Sequence, residues 1–121
     1  MAIMAVYTAQ GISLQDYDAA RAEISWETDP PAGGLMHLAG FDSDGILSIE
    51  VWDSRAAFDA YVRDRFGPTL NRLGHQDLPA PRILKLHNGA QLTGVDTPIR
   101  AYDVSEFAGR TRPPPEARPG P

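Results

Sequence analysis

The sequence has no cysteine. That excludes a disulfide, a thiolate nucleophile, an iron–sulfur cluster and a cysteine-ligated zinc site. Basic residues are also scarce: 11 Lys and Arg stand against 16 Asp and Glu, a formal charge of −5. The whole imbalance lies in residues 1–88, because beyond them Arg100, Arg110, Arg112 and Arg118 balance Asp96, Asp103, Glu106 and Glu116. An acidic domain without a basic stripe repels a phosphate backbone, so nucleic acid is not an expected partner. No apolar run approaches the roughly 20 residues that span a bilayer, and the first residues lack the basic, apolar and small-residue order of a secretion signal. The expectation is a soluble, cytoplasmic protein with no membrane partner.

What is present is one modest core. With 121 residues, 42% of them hydrophobic, the chain can build one domain but not two. Six of its eleven prolines fall in residues 89–121, and the last ten positions offer little that could be buried. The folding unit is therefore expected over 1–88, with 89–121 a C-terminal extension. Residues 97–104 alternate and are a candidate extra strand for a partner's edge, and 109–121 read as a Pro-rich, polyproline-like or disordered tail.

Residues 4–9 alternate weakly as a first strand. Ser13 can cap a helix with Asp16 three positions on, and Leu14, Tyr17, Ala20 and Ile24 recur as its buried stripe, with Gln15, Arg21 and Glu23 on a polar back. Asp29-Pro30-Pro31 and Gly33-Gly34 end that helix. Two strand-like runs, 35–41 and 46–53, flank the turn Asp42-Ser43-Asp44-Gly45. Asp53 and Ser54 offer a second N-cap before a helix with Ala57, Phe58, Tyr61, Val62 and Arg65 on one stripe. Gly67-Pro68 is expected to break or kink it, with Pro68 starting a short further turn to Leu73. Residues 82–87 alternate as a fourth strand. The order is β-α-β-β-α-β, an α+β, ferredoxin-like fold with two helices over a four-stranded antiparallel sheet.

The hairpin is the most specific feature. With Ser43 and Asp44 at its midpoint, His37 faces Glu50, Ala39 faces Ser48 and Leu35 faces Trp52. One face then carries Met36, Leu38, Leu47, Ile49 and Val51, which reads as the core under the helices. The other carries His37, Ala39, Phe41, Ile46, Ser48, Glu50, Trp52 and Ile83, with Lys85 and His87, and reads as the bare face of the sheet. It is too apolar to meet water, and a second copy packed sheet to sheet is the economical cover.

The order of elements, the segment Ile49-Glu50-Val51-Trp52-Asp53-Ser54 with Phe58 four residues on, and the closing strand 83–87 resemble the dimeric α/β-barrel superfamily. Within it, they resemble the small proteins related to antibiotic-biosynthesis monooxygenases, over residues 4–88. The resemblance implies a homodimer with a cleft in each subunit. It allows cofactor-independent oxygenases, haem-binding enzymes, isomerases, cyclases and proteins of no assigned activity. The Asn-Trp-Arg constellation of the quinone-forming oxygenases has no counterpart here beyond Trp52.

A carboxylate opposite an imidazole makes a general acid or base, so His37 and Glu50 are the candidate catalytic residues. The structural alternative is a cross-strand polar contact that fixes a dimer. Trp52, Trp26, Tyr7 and Phe41 are candidates to line a pocket for a flat, mostly apolar ligand, joined by Ser48, Lys85 and His87 on the same face. Asp29 and Trp26 are placed on a stiff loop at its rim, although an Asp before Pro also forms ordinary turns. No HxH or HExxH spacing unites His37, His75 and His87, so no metal site is expected. The resulting expectation is a homodimer holding a small organic molecule and acting on it by acid–base chemistry without a cofactor, as an isomerase, cyclase, lyase or monooxygenase-like enzyme. A noncatalytic binding or assembly protein is the alternative, and haem binding through one of the histidines a further one.

Overall fold

Residues 1–90 are described by the structure, a computed structural model; the candidate strand over 97–104 and the Pro-rich tail lie outside them. Contacts gather Met1–Gly89 into one unit. Strand β1 (Ile3–Ala9) leads to helix α1 (Leu14–Ile24). The Ser13 hydroxyl accepts the Asp16 N–H at 3.0 Å and the Asp16 carboxylate accepts the Ser13 N–H at 3.0 Å, so two helix-end donors are satisfied reciprocally. Ser25 closes α1 in the left-handed region, at φ 48°, with its N–H on the Arg21 carbonyl.

Strands β2 (Gly34–Phe41) and β3 (Ile46–Trp52) form the hairpin. Its turn is held by the Asp42 carboxylate, which accepts the N–H groups of Asp44 and Gly45 at 2.8 and 3.1 Å. Gly45 has φ +147°, and a Cβ there would lie 2.1 Å from the Ala9 carbonyl oxygen; only glycine lets the turn pass so close to the end of β1. Gly33 is equally constrained, since at φ +82° its missing Cβ would meet Ala57 and Asp53 at 2.5 Å.

Ser54 caps helix α2 (Arg55–Tyr61), its hydroxyl accepting the Ala57 N–H at 3.1 Å. Gly67-Pro68 does not end the helical run, but Pro68 does stand in the first turn of a short further helix that reaches Leu73, as expected. A π-helical turn, Val62–Phe66, runs straight into helix α3 (Gly67–Leu73). Proline has no N–H and its ring collides with the carbonyl four residues back in a regular α-helix; one wider turn before Pro68 lets the helix continue past it. Strand β4 (Arg82–Lys85) is shorter than expected and leaves His87 beyond its end.

The sheet order is β2-β3-β1-β4, with every neighbouring pair antiparallel. This is the ferredoxin-like arrangement expected from the element order. The hairpin register is also as expected at His37↔Glu50 and Ala39↔Ser48, but an irregularity between Gly34 and Met36 sets Gly34, and not Leu35, opposite Trp52.

The two faces are exchanged relative to expectation. Helices cover the face bearing Ile3, Ala5, His37, Ser48, Glu50, Trp52 and Ile83, and the buried core is Ile3, Ala5, Ile24, Trp52, Phe58 and Tyr61. The face read as core is the open one: Met36, Leu38, Leu47 and Leu84 are 41, 46, 47 and 37% exposed. Alternation fixes which residues share a face, but it does not say on which face the helices lie. Aromatic packing distinguishes them here. Trp52 meets Tyr61 at 4.8 Å, Trp26 at 5.3 Å and Phe58 at 5.9 Å between ring centroids, pairs that add about 0.5–1.5 kcal/mol each beyond area burial. Among the described residues no helix is long and apolar enough to cross a membrane.

Candidate functional site

Glu50 sits at the middle of β3, 5% exposed, under the helices. A carboxylate so placed needs partners. Its Oε2 lies 3.2 Å from His37 Nδ1 across the hairpin, and its Oε1 accepts the Trp52 indole N–H at 3.2 Å. On the far side of the imidazole, Nε2 is 2.7 Å from the hydroxyl of Tyr17, delivered by α1. Four side chains from three elements thus form one line, Tyr17, His37, Glu50 and Trp52. Phe41 meets the Tyr17 ring edge-on at 5.7 Å, and Trp26 lies 5.3 Å from the imidazole.

Tyr17, His37 and Glu50 face a cavity of about 80 Å³ between sheet and helices. Its walls are mainly apolar, with Ile12, Ala20, Ile24, Ile46, Phe66 and Leu70 prominent. Tyr7, Ser48 and Tyr61 complete the inner end, and His75 with Asp16 stands at another part of the lining, 3.7 Å apart. Bonds from the Ser13 backbone and hydroxyl hold the Asp16 carboxyl below its ordinary pKa. Burial pushes the phenols of Tyr7, Tyr17 and Tyr61 upward, and for Tyr7 and Tyr61 the nearby Glu50 charge adds to it. Burial therefore favours the neutral phenol at all three positions; the Tyr61 hydroxyl accepts the Trp26 indole N–H at 3.1 Å.

The structure brings together His37, Glu50, Tyr7 and Ser48 on this cavity, with Trp52 bonded to Glu50 from beneath, and Trp26 and Phe41 packed on its aromatic flank. It does not bring Lys85, His87 or Asp29 to it. Lys85 and His87 are exposed at the far end of β4 and beyond. The Asp29 side chain points outward, its nearest cation being Arg65 at 3.8 Å. The bare-face placement of His37 and Glu50 is corrected: they lie on the helix-covered side.

Sequence reasoning missed Tyr17, Arg21 and Tyr61 as site residues. The sequence pattern puts Arg21 on the polar back of α1, yet it lines the cavity, packs 5.8 Å over Trp26 and pairs with Glu27. Its signal is its spacing, four residues after Tyr17, which puts both on one helical face. Tyr17 and Tyr61 were visible as buried-stripe residues; only the identity of the covered sheet face was lacking.

No protein-family model matches the sequence, and no curated protein matches it. Among solved structures, a conserved protein of Methanosarcina mazei Go1 is similar, at 18% identity over 69% of this chain and 89% of that one, with a TM-score of 0.50. A provisionally assigned antibiotic biosynthesis monooxygenase of Chloroflexus aurantiacus J-10-fl is 18% identical over 74% of this chain and 95% of that one, with a TM-score of 0.47. The likeness is one of fold, a small antiparallel sheet with helices on one face.

Proposed function

We propose that this protein binds a small, mostly apolar organic molecule in the cavity between sheet and helices and acts on it by acid–base chemistry without a cofactor. The observation that carries this reading is an imidazole–carboxylate pair, the carboxylate buried and the imidazole half-buried, set in the wall of a mainly apolar cavity. A carboxylate behind a histidine orients the ring, which suits the imidazole to take a proton from a bound molecule. Apolar walls exclude water and strengthen those interactions. Tyr7, Ser48 and the aromatic flank would orient a planar molecule. Isomerisation, cyclisation and elimination all fit a single site that removes a proton and returns it. Oxygenation fits only for a substrate that itself forms a reactive carbanion.

Each subunit of a homodimer would hold one such cavity. The open face of the sheet supports that assembly, because Met36, Leu38, Leu47 and Leu84 form an exposed apolar surface on the side away from the helices. Interface and chemistry would then lie on opposite faces and be separable by mutation.

The test is a metabolite screen by native mass spectrometry on the purified full chain, followed by assay of whatever is retained. Retention of a small planar compound, with turnover falling about 10²–10⁴-fold in His37→Ala and Glu50→Gln, is the expected result. Absence of retention from the screen, or turnover unaffected in both variants, would overturn the reading.

A further inference from the structure

We propose that the hydroxyl of Tyr17, and not the imidazole of His37, is the group that exchanges a proton with the bound molecule, while His37 and Glu50 act behind it as a relay. This deepens the reading above and rests on it. Both ring nitrogens of His37 already have protein partners, Glu50 at Nδ1 and Tyr17 at Nε2. An ionised carboxylate can only accept, so Nδ1 carries the ring proton and donates it to Glu50. That assigns Nε2 as the acceptor, and the Tyr17 O–H as the donor to it. The Trp52 indole N–H on the second carboxylate oxygen keeps Glu50 from turning away. Tyr17 lies nearly parallel to the imidazole, with an interplanar angle of 16°, and Trp26 covers it at 5.3 Å. Tyr17, His37 and Glu50 all line the cavity, but with both imidazole nitrogens engaged it is the Tyr17 oxygen that still has lone-pair capacity for a bound molecule after its proton is given to His37.

The proton balance is simple. A weakly acidic O–H or C–H of the bound molecule gives its proton to the Tyr17 oxygen as the Tyr17 proton moves to His37 Nε2. The bound molecule becomes an anion, Tyr17 stays neutral, and the imidazolium formed lies against the Glu50 carboxylate. Reversal returns the proton to the same or another atom, and nothing is oxidised or reduced. Burial disfavours a free tyrosinate at this position, and the relay never requires one. The substrate class is a phenol, enol or enolisable carbonyl compound, whose oxyanion the Tyr17 hydroxyl can then hold by a hydrogen bond.

The experiment uses the full chain with ¹⁵N-labelled histidine, and 4-nitrophenol as the probe because its absorbance distinguishes phenol from phenolate. In the free protein, His37 is expected as the Nδ1–H tautomer with Nε2 hydrogen-bonded. Saturation with 4-nitrophenol is expected to give bound phenolate together with a doubly protonated His37 ring. Tyr17→Phe should leave His37 neutral on addition of the probe and weaken probe binding about 10-fold or more. His37→Gln should abolish phenolate formation. An Nε2–H tautomer in the free wild-type protein overturns the relay without any variant. Proton transfer that survives in Tyr17→Phe but is lost in His37→Gln overturns the role of Tyr17 and leaves the acid–base site standing. Failure of 4-nitrophenol to perturb His37 in the wild type overturns both.

Discussion

Glu50 is central to the polar interior of this molecule, because its carboxyl group is buried under the helices and three tyrosine phenols are buried around it. Tyr7, Tyr17 and Tyr61 all have pKa values raised above the ordinary value of 10.0. A group whose folded-state pKa is raised stabilises the fold fully below its unfolded pKa, and that contribution is lost as pH rises through the folded value. Stability is therefore expected to be flat in this respect up to about pH 10 and to fall above it. In an alkaline titration, the tyrosinate absorbance of these residues should rise together with loss of the circular dichroism signal. Their ionisation in a protein of intact ellipticity would contradict the burial described here. The His37–Glu50 contact was legible from sequence because a four-residue turn pins the register, and counting outward from it suffices. Tyr17 was not legible as their partner, since nothing in a hairpin says which helix will lie over it.

At the level of elements, the loop between α1 and β2 illustrates how a helix far along the chain positions the site. Arg65, on the π-helical turn, donates to the Ile24 carbonyl at the end of α1 and to the Asp29 carbonyl at 2.9 Å. It thereby holds the loop that carries Trp26 against His37, and the Trp26 indole N–H is itself bonded to the Tyr61 hydroxyl at 3.1 Å. The sequence placed Arg65 correctly on the inner stripe of its helix. It did not reveal the continuous helix, since Gly67-Pro68 reads as a terminator unless a wider turn absorbs the missing N–H. Removing the guanidinium by Arg65→Ala leaves two carbonyls without that donor and should cost about 1–3 kcal/mol. Hydrogen exchange should locate the effect, with the Thr28 and Asp29 amides, both bonded to the Ser25 carbonyl, losing protection before the sheet does. Equal loss of protection in β1 and β3 would argue that Arg65 supports the whole fold and not this loop.

At the scale of the whole sheet, the decisive feature is that both faces are apolar and, among the described residues, helices cover only one. Because the residues of 36–38 and 47–51 alternate cleanly on either reading, period-two patterning alone could not choose between core and interface. The side chains that settle it come from elsewhere, Phe58 and Tyr61 on α2 and Trp26 on its loop, all of which pack toward Trp52. The remaining face joins Met36 and Leu38 on β2, Leu47 on β3 and Leu84 on β4 into one surface. If a second copy covers it, a charge at its centre must be buried without a partner in both copies at once, because a two-fold interface repeats every substitution. Leu38→Glu is therefore expected to weaken the dimer by at least about 100-fold. The variant should sediment as a monomer at concentrations where the wild type is a dimer. Its helix-side core should be undisturbed, since Leu38 points away from α1 and α2, so ellipticity and the Trp26–Trp52 environment read by fluorescence should match the wild type. A wild type that stays monomeric across the accessible concentration range, or a Leu38→Glu protein that dimerises as well as its parent, would show that this face is not where two copies meet.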